Sequence, residues 1–340
     1  MSAAVSIDAV SIVFGAAPDK ALPLMDEGQD RSEIQTATGQ ILGVHDCTIE
    51  VEEGEILVLM GLSGSGKSTL LRAVNGLNPV VRGAVRVGMD GEMVDVTRSD
   101  PATLRRLRTE VVSMVFQQFA LLPWRSVRDN VALPLEIAGT ARAEARSRVE
   151  KQLALVGLAD WADRKVGELS GGMQQRVGLA RAFVTEAPIL LMDEPFSALD
   201  PLIRTKLQDE LLALQSSLRR TLIFVSHDLD EAFKLGNKIA IMEGGRIVQA
   251  GAPSEIIQAP KTPYVAEFVQ HMNPLGVLRV GDVMGPLGGA VEGRIAAGTL
   301  IRDAIAELQE HRGPIGVEKD GALVGQITAE DLLAGLAPRA

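Results

Sequence analysis

Disulfide chemistry and basic patches are missing from this sequence of 340 residues. Its one cysteine, Cys47, excludes an internal disulfide and fits a reducing cytosol. Acidic residues outnumber basic ones by 44 to 34, and no block of Lys or Arg stands out. The resulting formal net charge of −10 argues against a nucleic-acid partner.

Long apolar runs are also missing. The longest ones, such as ILVLM and PILLM, are strand-sized and far shorter than the roughly 20 residues that a membrane helix needs. The start, MSAAVSIDAV, has no basic segment followed by an apolar stretch, so no signal peptide is expected. Any role at a membrane is therefore expected to depend on a partner protein.

Apolar strands that alternate with helical segments indicate the fold class. With 46% hydrophobic residues, the chain can bury a sizeable core, and its length suits about two domains. Three uninterrupted strand-like runs are EILVLM (55–60), APILLMDE (187–194) and TLIFVSHD (221–228). Such strands with intervening helices are typical of a parallel sheet covered on both faces, so the sequence predicts an α/β fold.

Further patterns divide the chain. Two β-hairpins are predicted beside the sheet, at 83–96 and 238–251, and residues of about 125–180 are predicted to form a helical subdomain. The pattern changes after two prolines near residue 260. We therefore predict a main domain over 1–270 and a small α+β module over 271–340.

A glycine-rich stretch predicts the nucleotide site. GLSGSGKST matches G-x-x-x-x-G-K-[ST] and lies between a predicted strand and a predicted helix, as the mechanism requires. Lys67 would reach the β- and γ-phosphates of ATP, and the Ser68 hydroxyl would bind Mg²⁺. A glycine turn with a coincidental lysine is the alternative. The residues predicted to bind ATP here are Gly61, Ser63, Gly64, Ser65, Gly66, Lys67, Ser68 and Thr69.

Two adjacent carboxylates end the second apolar strand. Such a pair at the end of a hydrophobic strand is costly unless something binds it. We expect Asp193 to hold the Mg²⁺ shell, and Glu194 to polarise the water that attacks the γ-phosphate. A strand end that simply reaches solvent is the alternative.

Polar residues end two other strands. His227 follows TLIFV at the edge where α/β sheets bind ligands, and we predict that it senses the γ-phosphate. A core or surface histidine is the alternative. Gln117 ends another apolar strand, and its amide oxygen is predicted to approach Mg²⁺ or the attacking water. By itself this pattern does not separate Gln117 from Gln118.

A second anion site is predicted in LSGGMQQR, residues 169–176. A serine and two glycines precede a helix there, which leaves free backbone N–H groups with no side chains in the way. The chain has only one P-loop. One P-loop and one extra anion site per chain make two complete sites only when two chains pair, which predicts a homodimer.

Together these motifs resemble the ATP-binding cassette (ABC) ATPases of membrane transporters. The set GLSGSGKST, FQ, LSGGMQQR, LLMDE, SALD and SHD occurs in that order across the predicted main domain. The resemblance implies a P-loop NTPase fold of the ABC type, with a RecA-like parallel sheet core, an antiparallel β subdomain and a helical subdomain. It also implies contacts between two subunits, in which residues of one subunit touch the ATP held by the other subunit or touch the other subunit itself. By resemblance, these contacts belong to Ser170, Gly171, Gly172, Gln174 and Asp200.

The adenine contact of this family is normally an aromatic residue upstream of the P-loop. Phe14 is the only aromatic residue before Phe116, so the resemblance assigns the contact to Phe14, with a core phenylalanine as the alternative. Residues 16–41 depart from the family spacing. They are predicted to form an inserted loop and short helix, which we call the insertion.

Longer matches resemble the ATPase subunits of importers for glycine betaine, proline betaine and choline. These matches include MVFQQFALLPW and LMDEPFSALDPLIRTKLQDELLALQ, and residues 43–78 are most similar to the choline subgroup. The resemblance implies hydrolysis of ATP with Mg²⁺ by a homodimer at the cytoplasmic face of the membrane. Its partners would be permease subunits and, indirectly, an extracytoplasmic solute-binding protein. The alternatives are an importer of another solute, a soluble ABC ATPase outside transport, and a non-catalytic nucleotide sensor.

Two segments carry expectations about partners and regulation. A surface formed by Phe119, Leu122, Pro123 and Trp124 is predicted to contact a permease helix, with core packing as the alternative. The tail from residue 271 resembles a single CBS motif, with a helix, the strands IGVEKDG and LVGQIT, and a closing helix. The sequence fits two roles for this tail, a regulatory module and a structural, dimerising tail without a ligand.

Overall fold

The computed structural model describes residues 2–270, 273–311 and 313–336. Residues 271, 272, 312 and 337–340 of the predicted tail lie outside the described residues. The chain divides into two compact units, one of residues 1–227 and 240–248 and one of residues 228–239 and 249–340. The domain boundary predicted at residue 270 stays a prediction.

The strands follow the chain in this order: β1 (Ala3–Phe14), β2 (Ile41–Glu52), β3 (Ile56–Met60), β4 (Arg82–Met89), β5 (Glu92–Asp95), β6 (Val112–Val115), β7 (Ile189–Asp193), β8 (Thr221–Val225), β9 (Lys238–Glu243), β10 (Arg246–Gly251), β11 (Arg294–Ala296), β12 (Ile315–Lys319) and β13 (Ala322–Ile327). They form a four-stranded sheet of order β2-β1-β4-β5, a six-stranded sheet of order β10-β9-β3-β8-β7-β6 and a three-stranded sheet of order β11-β12-β13. The predicted hairpins correspond to β4–β5 and β9–β10.

The α-helices are α1 (Leu22–Asp26), α2 (Arg31–Thr38), α3 (Lys67–Val74), α4 (Pro101–Arg106), α5 (Val127–Ile137), α6 (Arg142–Leu155), α7 (Gly171–Phe183), α8 (Pro201–Leu218), α9 (Leu229–Leu235), α10 (Pro253–Gln258), α11 (Pro263–Val269), α12 (Val280–Val283), α13 (Ile301–Glu310) and α14 (Ala329–Leu336). Helices α5, α6 and most of α7 lie in the range predicted to be a helical subdomain. Among the described residues, no helix has the length and apolarity needed to cross a membrane.

A parallel core positions the site. Strand β8 pairs in parallel with β3 and with β7, and β7 pairs in parallel with β6. Every residue of β3, β7 and β8 is buried. Because successive side chains of a strand point to opposite faces, complete burial means that both faces of these strands are covered. The predicted parallel sheet is confirmed, and its strand ends deliver Asp193 and the residues after it to one edge.

The insertion leaves and rejoins the antiparallel sheet at a single point. Phe14 ends β1 and pairs with Ile41 at the start of β2. Between them the chain forms a 3₁₀ turn over Pro18–Ala21 and helices α1 and α2, a longer helical content than the predicted loop and short helix. Its apolar side chains join a small core with the sheet, formed by Val13, Ala21, Met25, Ile34 and Leu42.

The described part of the tail contains the predicted helix, two strands and closing helix as α13, β12, β13 and α14. The sequence reading missed β11 and α12, which have only three and four residues and carry no clear periodicity. Strand β11 pairs in parallel with β12, and β12 pairs antiparallel with β13. Their buried side chains form a core with Val280 and Ala304. The CBS resemblance of this small sheet module stays a prediction.

Candidate active site

The P-loop borders an open cleft with a volume of about 600 Å³. The predicted site residues at this cleft are Phe14, Ser63, Gly64, Gly66, Lys67, Ser68, Thr69, Gln117, Glu194 and His227. The insertion adds Arg31 and Gln35, which the sequence reading did not consider. Residues from distant parts of the first unit therefore meet around one loop, as the order of the parallel strands predicts.

Two P-loop glycines are required by close backbone contacts. Gly61 has a φ of 138°, and a Cβ atom there would lie 2.1 Å from the carbonyl oxygen of Met242. Gly66 has a φ of 102°, and a Cβ atom there would lie 2.7 Å from the carbonyl oxygen of Gly43. Any larger residue at either position would be strained and would clash with backbone. The loop therefore keeps the compact shape that lets backbone N–H groups surround a phosphate.

Lys67 is the first residue of α3 and is buried, with 7% of its surface exposed. Its Nζ donates to the carbonyl oxygens of Gly61 at 2.8 Å and Leu62 at 2.9 Å. Burial lowers the pKa of Lys67, and the nearby carboxylates of Glu194 and Asp193 partly oppose that shift. The ammonium group is held inside the loop, where it can reach phosphate oxygens.

Asp193 lies at the end of β7 with its side chain completely buried. Its Oδ1 accepts a hydrogen bond from the Ser68 hydroxyl at 2.6 Å, and its Oδ2 accepts one from Arg72 Nη2 at 2.8 Å. Ser68 and Arg72 are four residues apart on α3, so they lie on one face of that helix. The hydroxyl and carboxylate oxygens together suit a hard divalent cation such as Mg²⁺.

Glu194 follows Asp193 in a left-handed conformation with a φ of 49°. A non-glycine residue in this region is uncommon and costs free energy, and such residues cluster at functional sites. Four hydrogen bonds hold its backbone. Its N–H donates to the carbonyl oxygen of Val225, and its own carbonyl oxygen accepts from Gln175 Nε2 at 3.2 Å, from the Ser197 hydroxyl at 3.1 Å and from the Ser197 N–H at 3.4 Å. The turn directs the carboxylate toward the cleft.

His227 lies next to Glu194 across the parallel strand ends. Its Nδ1 is 3.4 Å from Glu194 Oε2, and 63% of its side chain is exposed. The exposed imidazole lines the cleft rather than the core. This arrangement suits a group that contacts the terminal phosphate and also orients the neighbouring carboxylate, although the sensor role itself stays a prediction.

The other two predicted contacts lie at the rim of the cleft. Phe14 lines the cleft with 37% of its surface exposed, because the insertion loops out between paired residues and leaves the end of β1 beside the P-loop. A core phenylalanine would be far more buried. Gln117 also lines the cleft, whereas Gln118 does not. Stacking of adenine on Phe14 and metal contact by Gln117 stay predictions.

The signature residues lie away from this cleft. Ser170 caps α7 by accepting from the Met173 N–H at 3.4 Å, and a Cβ atom on Gly171 would meet open space. Gln174 instead donates to the carbonyl oxygens of Val166 and Leu169, within its own subdomain. Asp200 caps α8 by accepting from the Ile203 N–H. These residues are therefore not part of the phosphate site of their own chain.

The sequence reading missed an arginine that fixes the loop after Gln117. Arg181, on α7, is buried and donates to the carbonyl oxygens of Phe119 and Ala120. Both of those residues are left-handed, with φ values of 57° and 46°. The guanidinium thus links the signature helix to the loop that carries Gln117. Of the predicted permease surface, Trp124 is 69% exposed, Pro123 is exposed, and Phe119 and Leu122 are half-buried.

Comparisons with known proteins agree with this geometry. Residues 44–197 match the ABC transporter family. The chain is 44% identical over 328 residues to ProV, the ATP-binding protein of a glycine betaine/proline betaine transport system of Salmonella typhimurium, covering 95% of this chain and 80% of ProV. It is 42% identical over 324 residues to TmoW, the ATP-binding protein of a trimethylamine N-oxide transport system of Ruegeria pomeroyi, covering 94% of this chain and 93% of TmoW.

A solved structure gives the same result for the fold. The chain matches a dimeric ATP-binding cassette in a post-hydrolysis state with ADP and phosphate, with a TM-score of 0.63 and 28% identity. The match covers 73% of this chain and 98% of that cassette.

Fold and site together define an ATP-binding and ATP-hydrolysing P-loop protein of the ABC type. Within that class, the chain belongs to the family of ABC transporter ATP-binding subunits of glycine betaine/proline betaine importers. The predicted membership of the betaine importer branch of ABC ATPases is confirmed, and so is the predicted ABC-type fold. The narrower choline subgroup stays a prediction.

Proposed function

We propose that this ATPase drives the import of a small solute with a methylated quaternary nitrogen, glycine betaine or proline betaine first, through a partner permease. The observation that carries the proposal is the match to ProV over 95% of the chain, which includes the small C-terminal module as well as the nucleotide site. In this family the subunit does not contact the solute, so the solute follows from relatedness. Choline belongs to the same chemical class and is included on the sequence resemblance alone.

Trimethylamine N-oxide is the second candidate solute. The match to TmoW covers 93% of that protein, against 80% of ProV, at nearly the same identity. The solutes share a methylated nitrogen with four substituents and a formal positive charge. Uptake by cells that express the chain with its permease would distinguish them, because the solute that competes best with labelled glycine betaine identifies the preferred one.

The cleft supports a direct hydrolytic mechanism. The backbone of the P-loop and Lys67 would hold the β- and γ-phosphates, and His227 would contact the γ-phosphate. Glu194 would accept a hydrogen bond from a water in line with the γ-phosphorus. As the water oxygen bonds to phosphorus, the water proton passes to the Glu194 carboxylate and the bond from phosphorus to the β–γ bridging oxygen breaks, which gives ADP and phosphate. The contact of His227 Nδ1 with Glu194 Oε2 would help to hold the Glu194 carboxylate toward that water.

The residues that would hold Mg²⁺ are Ser68, Asp193 and Gln117. The Ser68 hydroxyl donates a hydrogen bond of 2.6 Å to Asp193 Oδ1. Gln117 lines the same cleft as Ser68. When bound with the nucleotide, the ion supplies positive charge to the phosphate oxygens. Arg72 fixes the second oxygen of Asp193, so that its first oxygen stays directed at the Ser68 hydroxyl.

The complete catalytic unit is proposed to be a homodimer. Ser170, Gly171 and Gly172 are remote from the cleft of their own chain, and Gly171 faces open space, so they remain available to a second copy. ATP held between two chains would close the dimer, and hydrolysis would let it reopen. The dimer would lie at the cytoplasmic face of the membrane against permease subunits, with a solute-binding protein as an indirect partner outside.

Substitution of Glu194→Gln tests the proposed chemistry. It removes the acceptor for the water proton and keeps the shape, so ATP binding should persist while turnover falls by about 10²–10⁴-fold and solute uptake stops. Glu92→Gln, on the exposed edge strand β5, is the matched control and should leave both rates unchanged. Wild-type turnover by Glu194→Gln would remove Glu194 as the base.

A further inference from the structure

The insertion brings one arginine directly to the P-loop. Arg31 is the first residue of α2, after the capping residue Asp30. Its Nη1 donates to the carbonyl oxygen of Gly64 in the P-loop, and its Nη2 donates to the carbonyl oxygen of Gly43 on β2. Its Nε is buried and has no acceptor. Arg31 also lines the nucleotide cleft, and each of its two terminal nitrogens carries a second N–H besides the one that bonds a carbonyl.

Three backbone segments hold this guanidinium in one place. Besides Gly64 and Gly43, the turn between β9 and β10 lies against it, and a Cβ atom on Gly245 would be 2.6 Å from Arg31 Nη2. A planar group held from three sides cannot move far without breaking these contacts. The apolar core of the insertion fixes the start of α2 as well, because Ile34, one turn later, is completely buried.

No described carboxylate compensates the charge of Arg31. Among the described residues, no carboxylate forms an ion pair with Arg31, whereas Arg72 has Asp193 and Arg82 has Asp26. Burial lowers the pKa of Arg31, but a guanidinium remains charged at neutral pH. A partly buried cation without a counter-ion is unfavourable, and an anion in the cleft would offset that cost.

We propose that Arg31 is a nucleotide-binding residue supplied by the insertion, and that its partner is the polyphosphate of the bound nucleotide. It gives the cleft a fixed cation on the insertion side, in addition to Lys67 inside the P-loop. Gln35 lies four residues later on α2 and lines the same cleft, so this helix forms one wall of the site. The inference rests on ATP binding at the P-loop.

The test compares two substitutions that separate charge from hydrogen bonding. Arg31→Gln keeps an N–H donor for the surrounding carbonyls but removes the charge, and Arg31→Lys keeps the charge. Binding of ATP, ADP and adenosine to the full-length chain is measured by calorimetry at two salt concentrations. We expect Arg31→Gln to weaken ATP binding about tenfold and to reduce its salt dependence, with adenosine binding unchanged. Arg31→Lys should stay within about threefold of the wild type.

Controls and steady-state kinetics complete the test. Arg98→Met changes an arginine whose side chain is 83% exposed, and it should leave all three affinities unchanged. In ATP hydrolysis, Arg31→Gln should raise KM and leave kcat unchanged, because the contact is the same in the bound substrate and in the transition state. A purely structural role would instead lower the unfolding temperature of the nucleotide-free chain and leave the KM of the folded fraction unchanged.

Two results would overturn the inference: a wild-type ATP affinity in Arg31→Gln, or an equal loss for ATP and adenosine. If Arg31→Gln does not fold, Arg31→Lys decides, since a tenfold loss there would contradict a role of the charge. Lys67→Ala separates this inference from the proposed function. Loss of ATP binding in Lys67→Ala with normal binding in Arg31→Gln would remove only the role of Arg31. Normal ATP binding in Lys67→Ala would contradict the P-loop site itself.

Discussion

Replacing Arg72 by methionine should destabilise the nucleotide-free protein far more than replacing an arginine in an exposed ion pair. Arg72→Met keeps most of the apolar stem and removes the cation that faces Asp193 Oδ2 at 2.8 Å. The Asp193 side chain is 0% exposed, so its carboxylate would keep only the Ser68 hydroxyl as a partner.

The size of the effect follows from burial. Removing one partner of a buried ion pair typically costs about 3–5 kcal/mol, because the other charge is left uncompensated. Arg72 itself is 37% exposed, so part of its interaction is already weakened by solvent. We therefore expect a loss of about 2–3 kcal/mol in the free energy of unfolding. At about 2–4 °C per kcal/mol for a unit of this size, the unfolding temperature should fall by about 4–12 °C.

Thermal unfolding without nucleotide, followed by circular dichroism, measures this loss. Arg82→Met is the matched control, because the Arg82–Asp26 pair is 40% and 56% exposed and should contribute about 0–1 kcal/mol. The double variant Arg72→Met/Asp193→Asn should be more stable than Arg72→Met alone, since it removes the uncompensated charge. Equal losses for Arg72→Met and Arg82→Met, or no recovery in the double variant, would refute the reasoning.

The remaining predictions concern the dimer and the cysteine. Chains carrying Lys67→Ala and chains carrying Ser170→Arg should each be inactive alone, yet their mixture should regain about a quarter of wild-type ATPase activity, since half of the randomly mixed dimers have one intact composite site. Activity equal to the sum of the separate chains would contradict shared sites. Burial raises the pKa of Cys47 to about 12 from 9.0, so the folded chain should resist maleimide at pH 8 and lose stability as the pH rises from about 9 towards 12. Labelling of the native chain at the rate of a free thiol would contradict that burial.

The parallel core and the P-loop could be predicted from sequence for a local reason. Strands covered on both faces must be apolar at every position, and this leaves an uninterrupted run that ends abruptly at Asp193. The P-loop is equally local, because all its required glycines lie within one turn before α3. Neighbouring positions thus specify both the strand ends and the phosphate loop.

Contacts between distant segments could not be predicted in the same way. The partner of Asp193 is Arg72, which is 121 residues earlier, and Arg31 meets a P-loop residue 33 positions away. Only the spacing of Arg72 from Ser68 on a predicted helix offered a signal. No pattern in the sequence marked Arg181, since its partners are two backbone carbonyls, which any residue type could supply.

The paired ends of the insertion have a consequence for how this ATPase can vary. Because Phe14 and Ile41 already face each other across two strands, a tight turn could join them without altering the register of either strand. The helical segment could therefore be lost without breaking the pairing of β1 with β2, provided that Val13 and Leu42, which it covers, are replaced by polar residues. Relatives could gain, lose or exchange this segment. Such changes would alter the ATP concentration at which the enzyme is half-saturated, while the residues that cleave the nucleotide remain the same.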